Sequence, residues 1–224
     1  SKAIEEDSPQ DTFHGFRIYF GLSKEQRMEI AKISNTNIAI SEDLLDRLEE
    51  QGLEPPNKLR NFAQKIGLIQ AGVDFADKKS NKDNLPTVRT LRTFIVNFYD
   101  GKNYSTEKDF DSDALEGYIC TSGGMDVRYE QIYKNVENFC NEKDLVEAGK
   151  QFTKLHRKQH SIASSVDELK KRKEFRNKAM TISIVTAWAL IAGLLQRDQE
   201  RLNKFYTLPD VSGDKSDPLN AIAM

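Results

Sequence analysis

The chain has 224 residues, 33 basic and 35 acidic side chains, a formal net charge of −2, and apolar and aromatic fractions of 38% and 9%. A chain of this length buries roughly 70% of its unfolded surface when it folds and needs no disulfide to hold a core. Its two cysteines, Cys120 and Cys140, are too few for a secreted disulfide framework, so a reducing, cytoplasmic setting is expected. Twelve glycines and six prolines exclude a collagen-like or low-complexity chain.

Residues 1–11 are acidic and polar and read as a loose arm; Lys2, Glu5, Glu6 and Asp7 are not the start of a signal peptide. Phe13 to Leu22 alternates imperfectly through Phe16, Ile18 and Phe20, the pattern of a strand. Ser23 with Gln26 is a capping box opening a helix through Met28, Ile30, Ala31 and Ile33. Ser41, Glu42 and Asp43 open a second helix with Leu44, Leu45 and Leu48 as its apolar face, stopped by Gly52. After Pro55-Pro56, the spacing of Leu59, Phe62, Ala63 and Ile66 predicts a third helix reaching toward Gly72.

Asp77 to Pro86 has the composition of a solvent loop. Thr87 caps a fourth helix with Leu91, Phe94, Ile95 and Phe98, expected to end at Asp100-Gly101. Gly123-Gly124 reads as a turn, and Asp126 starts a helix with Tyr129, Ile132, Tyr133, Val136 and Phe139 on one side. Another helix covers Leu145 to about His156. A capping box at Ser165 and Glu168 predicts one long helix to about Phe205, bent near Asn177 or Gly193. Within it, Ala179 to Leu195 is uncharged; its helical register continues into Gln196, Arg197 and Asp198, so a buried central helix is expected and no membrane contact. The reading is a mainly α, multi-helix single domain over 12–208 with one or two short strands near its start, followed by a loop-like tail, 209–224.

The small net charge conceals a separation. Asp100 to Glu147 holds twelve acids and five bases, Lys150 to Lys178 ten bases and three acids. The basic part carries Lys154, Arg157, Lys158, Lys170, Lys171, Arg172, Lys173, Arg176 and Lys178. Clustered cations on helices are the footprint of phosphate binding, because they release a polyanion's condensed counterions; solvated helix faces and mutual neutralisation of the two segments are the plainer alternatives. Phe152 and Phe175 are its only aromatics, too few for a base-stacking platform, so duplex contact is the form expected. Arg89 and Arg92, three apart, suit a phosphate clamp or a salt bridge to an acidic helix.

His156 and His160 have the spacing of a zinc pair, but Arg157 stands where a zincin has its glutamate and no third ligand is evident. Asp109, Asp111 and Asp113 begin like a calcium loop that Ala114 then breaks. Gly123-Gly124 lacks the rest of either nucleotide-binding glycine motif. Cys120 and Cys140 are expected to be buried thiols. No cofactor is expected, and no nucleophile–base pair or carboxylate dyad stands out, which leans away from an enzyme.

Asn35 and Asn37 lie in a connector between two helices. Around it, Gly21-Leu22-Ser23-Lys24-Glu25-Gln26, Ile30-Ala31-Lys32-Ile33-Ser34-Asn35-Thr36-Asn37 and Ile40-Ser41-Glu42-Asp43-Leu44-Leu45 resemble a stretch of the ParB-like DGQHR-domain proteins and the AIPR proteins of phage defence. The resemblance covers about residues 16–50, without the Asp-Gly-Gln-His-Arg signature. It implies a bacterial or phage DNA-associated protein, with Asn35 and Asn37 as turn-forming positions. The expected function is therefore duplex DNA binding in regulation or phage defence. The alternative is an assembly module in which the acidic and basic segments of neighbouring subunits, or of a protein partner, meet.

Overall fold

The computed structural model describes residues 18–34, 41–76, 85–104, 116–164 and 178–207. The chain divides into two units, 1–37 and 38–224, and every regular element among the described residues is helical. In the first unit, α1 (Lys24–Ser34) opens on the expected capping box: Ser23 Oγ accepts the Gln26 N–H at 3.3 Å, and the Ser23 N–H donates to Gln26 Oε1 at 3.0 Å. The strand expected over 13–22 is not formed in its described part. Ile18 and Phe20 are 72% and 87% exposed, and no described strand offers them a hydrogen-bonding ladder. Residues 13–17, the arm 1–11 and Asn35 and Asn37 lie outside the described residues.

In the second unit, α2 (Glu42–Gly52) begins where Ser41 Oγ accepts the Leu44 N–H and ends at the expected glycine. Its buried face differs from expectation: Asp46 and Glu50 are the buried residues, whereas Leu44, Leu45 and Leu48 are only half-buried. α3 (Lys58–Lys65) buries Leu59, Phe62 and Ala63. It stops short of Gly72 because Gly67, at φ +80°, closes a Schellman motif, with Gly67 N–H donating to Gln64 O and Leu68 N–H to Ala63 O.

Thr87 Oγ1 caps α4 (Val88–Asn103) through the Thr90 N–H at 3.2 Å. This helix is buried nearly all round, and its polar residues hold the irregular segment 116–126. Asn97 Nδ2 donates to Tyr118 O and Asn97 Oδ1 accepts the Tyr118 N–H. Thr93 Oγ1 accepts the Cys120 N–H, and Arg89 Nε donates to Cys120 O. Residues 89, 93 and 97 lie on one face of α4, so side chains satisfy backbone groups that a neighbouring strand would satisfy in a sheet. Asp126 accepts the Thr121 N–H and the Tyr118 hydroxyl and caps α5 (Val127–Asn135). That helix ends before Phe139, which belongs to a separate 3-10 turn, Phe139–Asn141.

α6 (Lys143–Ser164) extends beyond the 145–156 expected. The continuous helix expected to Phe205 is broken. Residues 165–177 lie outside the described part; then come a 3-10 turn (Lys178–Met180), α7 (Ile182–Leu194), another 3-10 turn (Leu195–Arg197) and α8 (Gln199–Tyr206). Thr181 (ψ 143°) and Asp198 (φ −123°, ψ 87°) leave helical geometry, and Asp198 restarts the chain by accepting the Arg201 N–H. No described helix is long and apolar enough to cross a membrane.

α7 is the apolar helix the sequence predicts to be buried: Val185, Ala189 and Ala192 are fully inaccessible, and Ser183, Ala187 and Ile191 form its exposed face. Phe94 meets Phe152 at 5.6 Å and Lys102 pairs with Glu142, so α6 runs antiparallel to α4. Trp188 meets Phe152 at 6.2 Å and the Ala179 N–H reaches Gln159, so α6 is antiparallel to α7 too. α4 and α7 therefore run parallel, and they touch backbone to backbone. A Cβ on Gly101 would overlap the Leu190 carbonyl and stand 2.8 Å from Leu194 N. One on Gly193 would overlap the Phe98 carbonyl and stand 3.0 Å from Lys102 N. Gly101 was expected to end α4, but the helix continues through it to Asn103 because the missing side chain serves the α7 contact.

Gly101→Ala and Gly193→Ala should each destabilise the protein by about 1–3 kcal/mol through overpacking. Helix propensity alone gives the opposite sign, a gain of up to ~1 kcal/mol. Urea unfolding of the two variants decides between them.

Candidate functional site

α6 is pinned by Leu145, Ala148, Phe152 and Leu155 on its inner side, and Gly149 lets it close on Ile66, whose Cγ2 would stand 2.6 Å from an added Cβ. That fixes which residues face out. Lys150, Lys154 and Arg157, at i, i+4 and i+7, are exposed on one face, with Lys158 half-buried beside them. Of the other cations of the basic segment, Lys170, Lys171, Arg172, Lys173 and Arg176 lie outside the described residues, and Lys178 is the first residue of the 178–180 turn.

Next to this stripe is a cleft of about 500 Å³ between α6 and the chain following α3. Thr153, His156, Arg157 and His160 line one side; Gly67 and Gln70 are among the residues on the other. The Arg157 guanidinium donates to Gly67 O at 2.8 Å, which fixes a cation at the cleft edge. The i, i+4 histidines share the cleft with ring centroids 6.4 Å apart. Among the described residues no group of three His, Cys, Asp or Glu is placed to hold a metal ion. The Asp109–Asp113 run lies outside them.

Arg89 and Arg92 are not surface clamps. Arg89 is half-buried and donates to Cys120 O at 2.7 Å. Arg92 is fully buried: Nε donates to Glu50 Oε1 at 2.9 Å, and Nη1 reaches Asp46 Oδ1 at 3.4 Å and Gly124 O at 2.6 Å. Its guanidinium carbon lies 5.3 Å from the centre of the Tyr129 ring, and the Tyr129 hydroxyl donates to Glu50. The Gly123 and Gly124 amides donate to Asp46 Oδ1, so the predicted turn is tied to the same cluster. This is the salt bridge to an acidic helix that the sequence left open, and its partners are the acids four apart on the buried side of α2. The i, i+4 spacing of Asp46 and Glu50 is the sequence signal for this pairing, and it competes with Leu44, Leu45 and Leu48, which mark another face of the same helix.

Two carboxylates share one guanidinium here. Burial pushes both Asp46 and Glu50 above the ordinary carboxylate range, and the nearby Arg92 only partly offsets it. Asp126 and Asp74 go the other way. Burial would raise them too, but N–H and hydroxyl donors around Asp126, and the Phe75 N–H with Arg47 and Arg60 around Asp74, bring them below it. Both cysteines are free and buried, and burial pushes the Cys120 thiol up to about 12 and raises Cys140 as well.

Arg92→Met should cost about 3–5 kcal/mol by stranding two buried carboxylates. Glu50→Gln should cost less and change the pH response. A carboxyl raised in the folded state contributes stability that is complete below its unfolded value and lost as pH rises through the folded one. Chemical denaturation from pH 7 toward about 4.5 should therefore show a stability gain on acidification in the wild type, and a smaller one in Glu50→Gln. An aromatic disulfide reagent at neutral pH should label Cys120 and Cys140 only as fast as the protein opens. No family model, curated protein or solved structure matches the chain.

Proposed function

We propose that this protein binds nucleic acid, as duplex DNA, through the exposed face of α6 and the basic residues that follow it, without breaking a bond. The observation that carries the reading is the alignment of Lys150, Lys154 and Arg157 on one outward face of a helix whose other side is locked into the core. Cations repeating each turn on a rigid rod replace counterions along a phosphate backbone with little further ordering. His156 and His160, in the adjoining cleft, extend the cationic lining when protonated. The resemblance of residues 16–50 to DGQHR-domain and AIPR proteins agrees with a DNA-associated role in regulation or phage defence.

The assembly reading has less to draw on. Several acids of the 100–147 segment already have partners within the chain. Asp100 pairs with Arg128 at 3.2 Å, Glu130 with Lys134 at 2.7 Å, Glu142 and Asp144 with Lys102, and Asp126 caps α5. These pairs hold the acids in place within the chain; their bases belong to the same segment, whose net charge is unchanged.

Fluorescence anisotropy of a labelled duplex should show binding that weakens about 10³-fold between roughly 50 and 200 mM salt if six phosphates are contacted. Lys150→Glu with Lys154→Glu should weaken binding to all sequences alike and lower the salt slope by about 1 per lost contact. Arg89→Ala should leave the slope unchanged. Absence of binding at the lowest salt overturns the proposal.

A further inference from the structure

The cleft beside the second half of α6, about 500 Å³, has the size of a small-ligand site. Its charged and titratable lining, His156, Arg157 and His160, comes from one helix, and no described lining residue is acidic. The Arg157 guanidinium is held by a neutral acceptor, Gly67 O at 2.8 Å, and no described carboxylate pairs with it. It therefore keeps its full charge and four of its five N–H donors. Arg92 makes the contrast, since the fold gives that guanidinium two acids. The anchor is rigid at both ends: Gly67 closes the turn after α3, and the neighbouring Leu155 and Gln159 are buried in the core. His156 is only 5% exposed, so its ring is held as well. The two imidazoles have centroids 6.4 Å apart, and each carries two N–H donors when protonated. Hydrogen bonds of about 2.8–3.0 Å from both rings to different oxygens of one oxyanion span that separation. Leu68, Val73 and Leu85 add an apolar wall.

A cation would meet like charge here, and a wholly apolar ligand would take the Arg157 charge out of water with nothing in return. A carboxylate brings one charge and two acceptor oxygens. A phosphomonoester near neutral pH brings about −1.5 to −2 and three acceptor oxygens, which matches one guanidinium and two imidazoles. We infer that this cleft binds a phosphomonoester, with its phosphoryl oxygens on Arg157, His156 and His160 and its organic group along Leu68, Val73 and Leu85. A free mononucleotide and the 5′-phosphate of a nucleic-acid strand both offer that chemistry. Only the second source rests on the nucleic-acid binding proposed above; affinity for a free ester stands or falls without it.

The chain has three histidines, so their ring resonances can be assigned with His14→Gln and His160→Gln and followed by NMR. Phenyl phosphate and adenosine monophosphate should be titrated into the full chain by NMR and calorimetry at pH about 6.5 and about 0.15 M salt, with benzoate and benzyl alcohol as controls. The esters should bind saturably with a Kd of about 1 mM or tighter, benzoate about threefold or more weakly, and the alcohol not at all. The signals of His156 and His160 should shift together, and both rings should titrate at higher pH in the complex, because a nearby anion favours the imidazolium. Arg157→Gln and His160→Gln, neither of them in the core, should each weaken phenyl phosphate about tenfold. Lys150→Glu lies about 10 Å along the helix from Arg157, beyond a Debye length of about 8 Å, and should change that affinity less than about twofold. A 5′-phosphorylated duplex that displaces phenyl phosphate better than its 5′-hydroxyl counterpart assigns the site to strand ends; no difference between them assigns it to the free ester. No saturable binding of either ester, benzoate binding as tightly, no shift at either histidine, or wild-type affinity in both variants overturns the proposal.

Discussion

A guanidinium removed from water has to be neutralised and hydrogen-bonded, or the fold around it fails. Arg92 meets that requirement with groups from several parts of the chain: Asp46 and Glu50 of α2, the carbonyl of Gly124 and the face of Tyr129 in α5. Satisfying one charge therefore fixes how α2 crosses α4, where the 123–124 turn sits and how α5 begins. Asp46 shows the dependence from the other side, because one of its oxygens accepts two consecutive turn amides while facing the guanidinium. The irregular segment 116–126 keeps its place through this cluster and through the row Arg89, Thr93 and Asn97, which supply hydrogen bonds that the segment's own backbone lacks.

Behind that polar side, α4, α6 and α7 form the apolar interior. Contact through Gly101 and Gly193 brings α4 and α7 together at backbone distance, and Phe94, Phe152 and Trp188 fill the space between them and α6. Close packing of this kind leaves α6 little rotational freedom. Its remaining faces thereby acquire distinct characters: a basic stripe along Lys150, Lys154 and Arg157, and a cleft with two histidines. The surface chemistry on which the functional proposals rest follows from how the core orients one helix.

Cations serve two opposite ends in this chain. Arg89 and Arg92 are spent inside, where they organise the backbone, while those of α6 stand in solvent. Both groups look alike as letters, since a run of Lys and Arg carries no mark of burial. The same holds for acids: Asp46 and Glu50 are core residues, whereas Glu147 is exposed.

The starts of α1, α2, α4 and α5 were legible because a cap is a local event, whereas those of α7 and α8 fall inside the one long helix the sequence suggests. Ser23, Ser41, Thr87 and Asp126 each bond to a backbone N–H within three residues, so the signal and its effect are adjacent. The largely buried position of α7 was also legible from its lack of charge, although it gives one narrow face, Ser183, Ala187 and Ile191, to water. The sequence alone could not separate a glycine that ends a helix from one that admits a neighbouring backbone, which is why Gly101 was misread. It also could not show that residues 18–22 find no strand to pair with among the described residues, or that the cleft beside α6 exists. The partners of Arg92 lie 42 and 46 positions away. Local chemistry determined the elements of this protein; desolvation, which depends on what distant segments bring to the same point, decided which charges became core and which became surface.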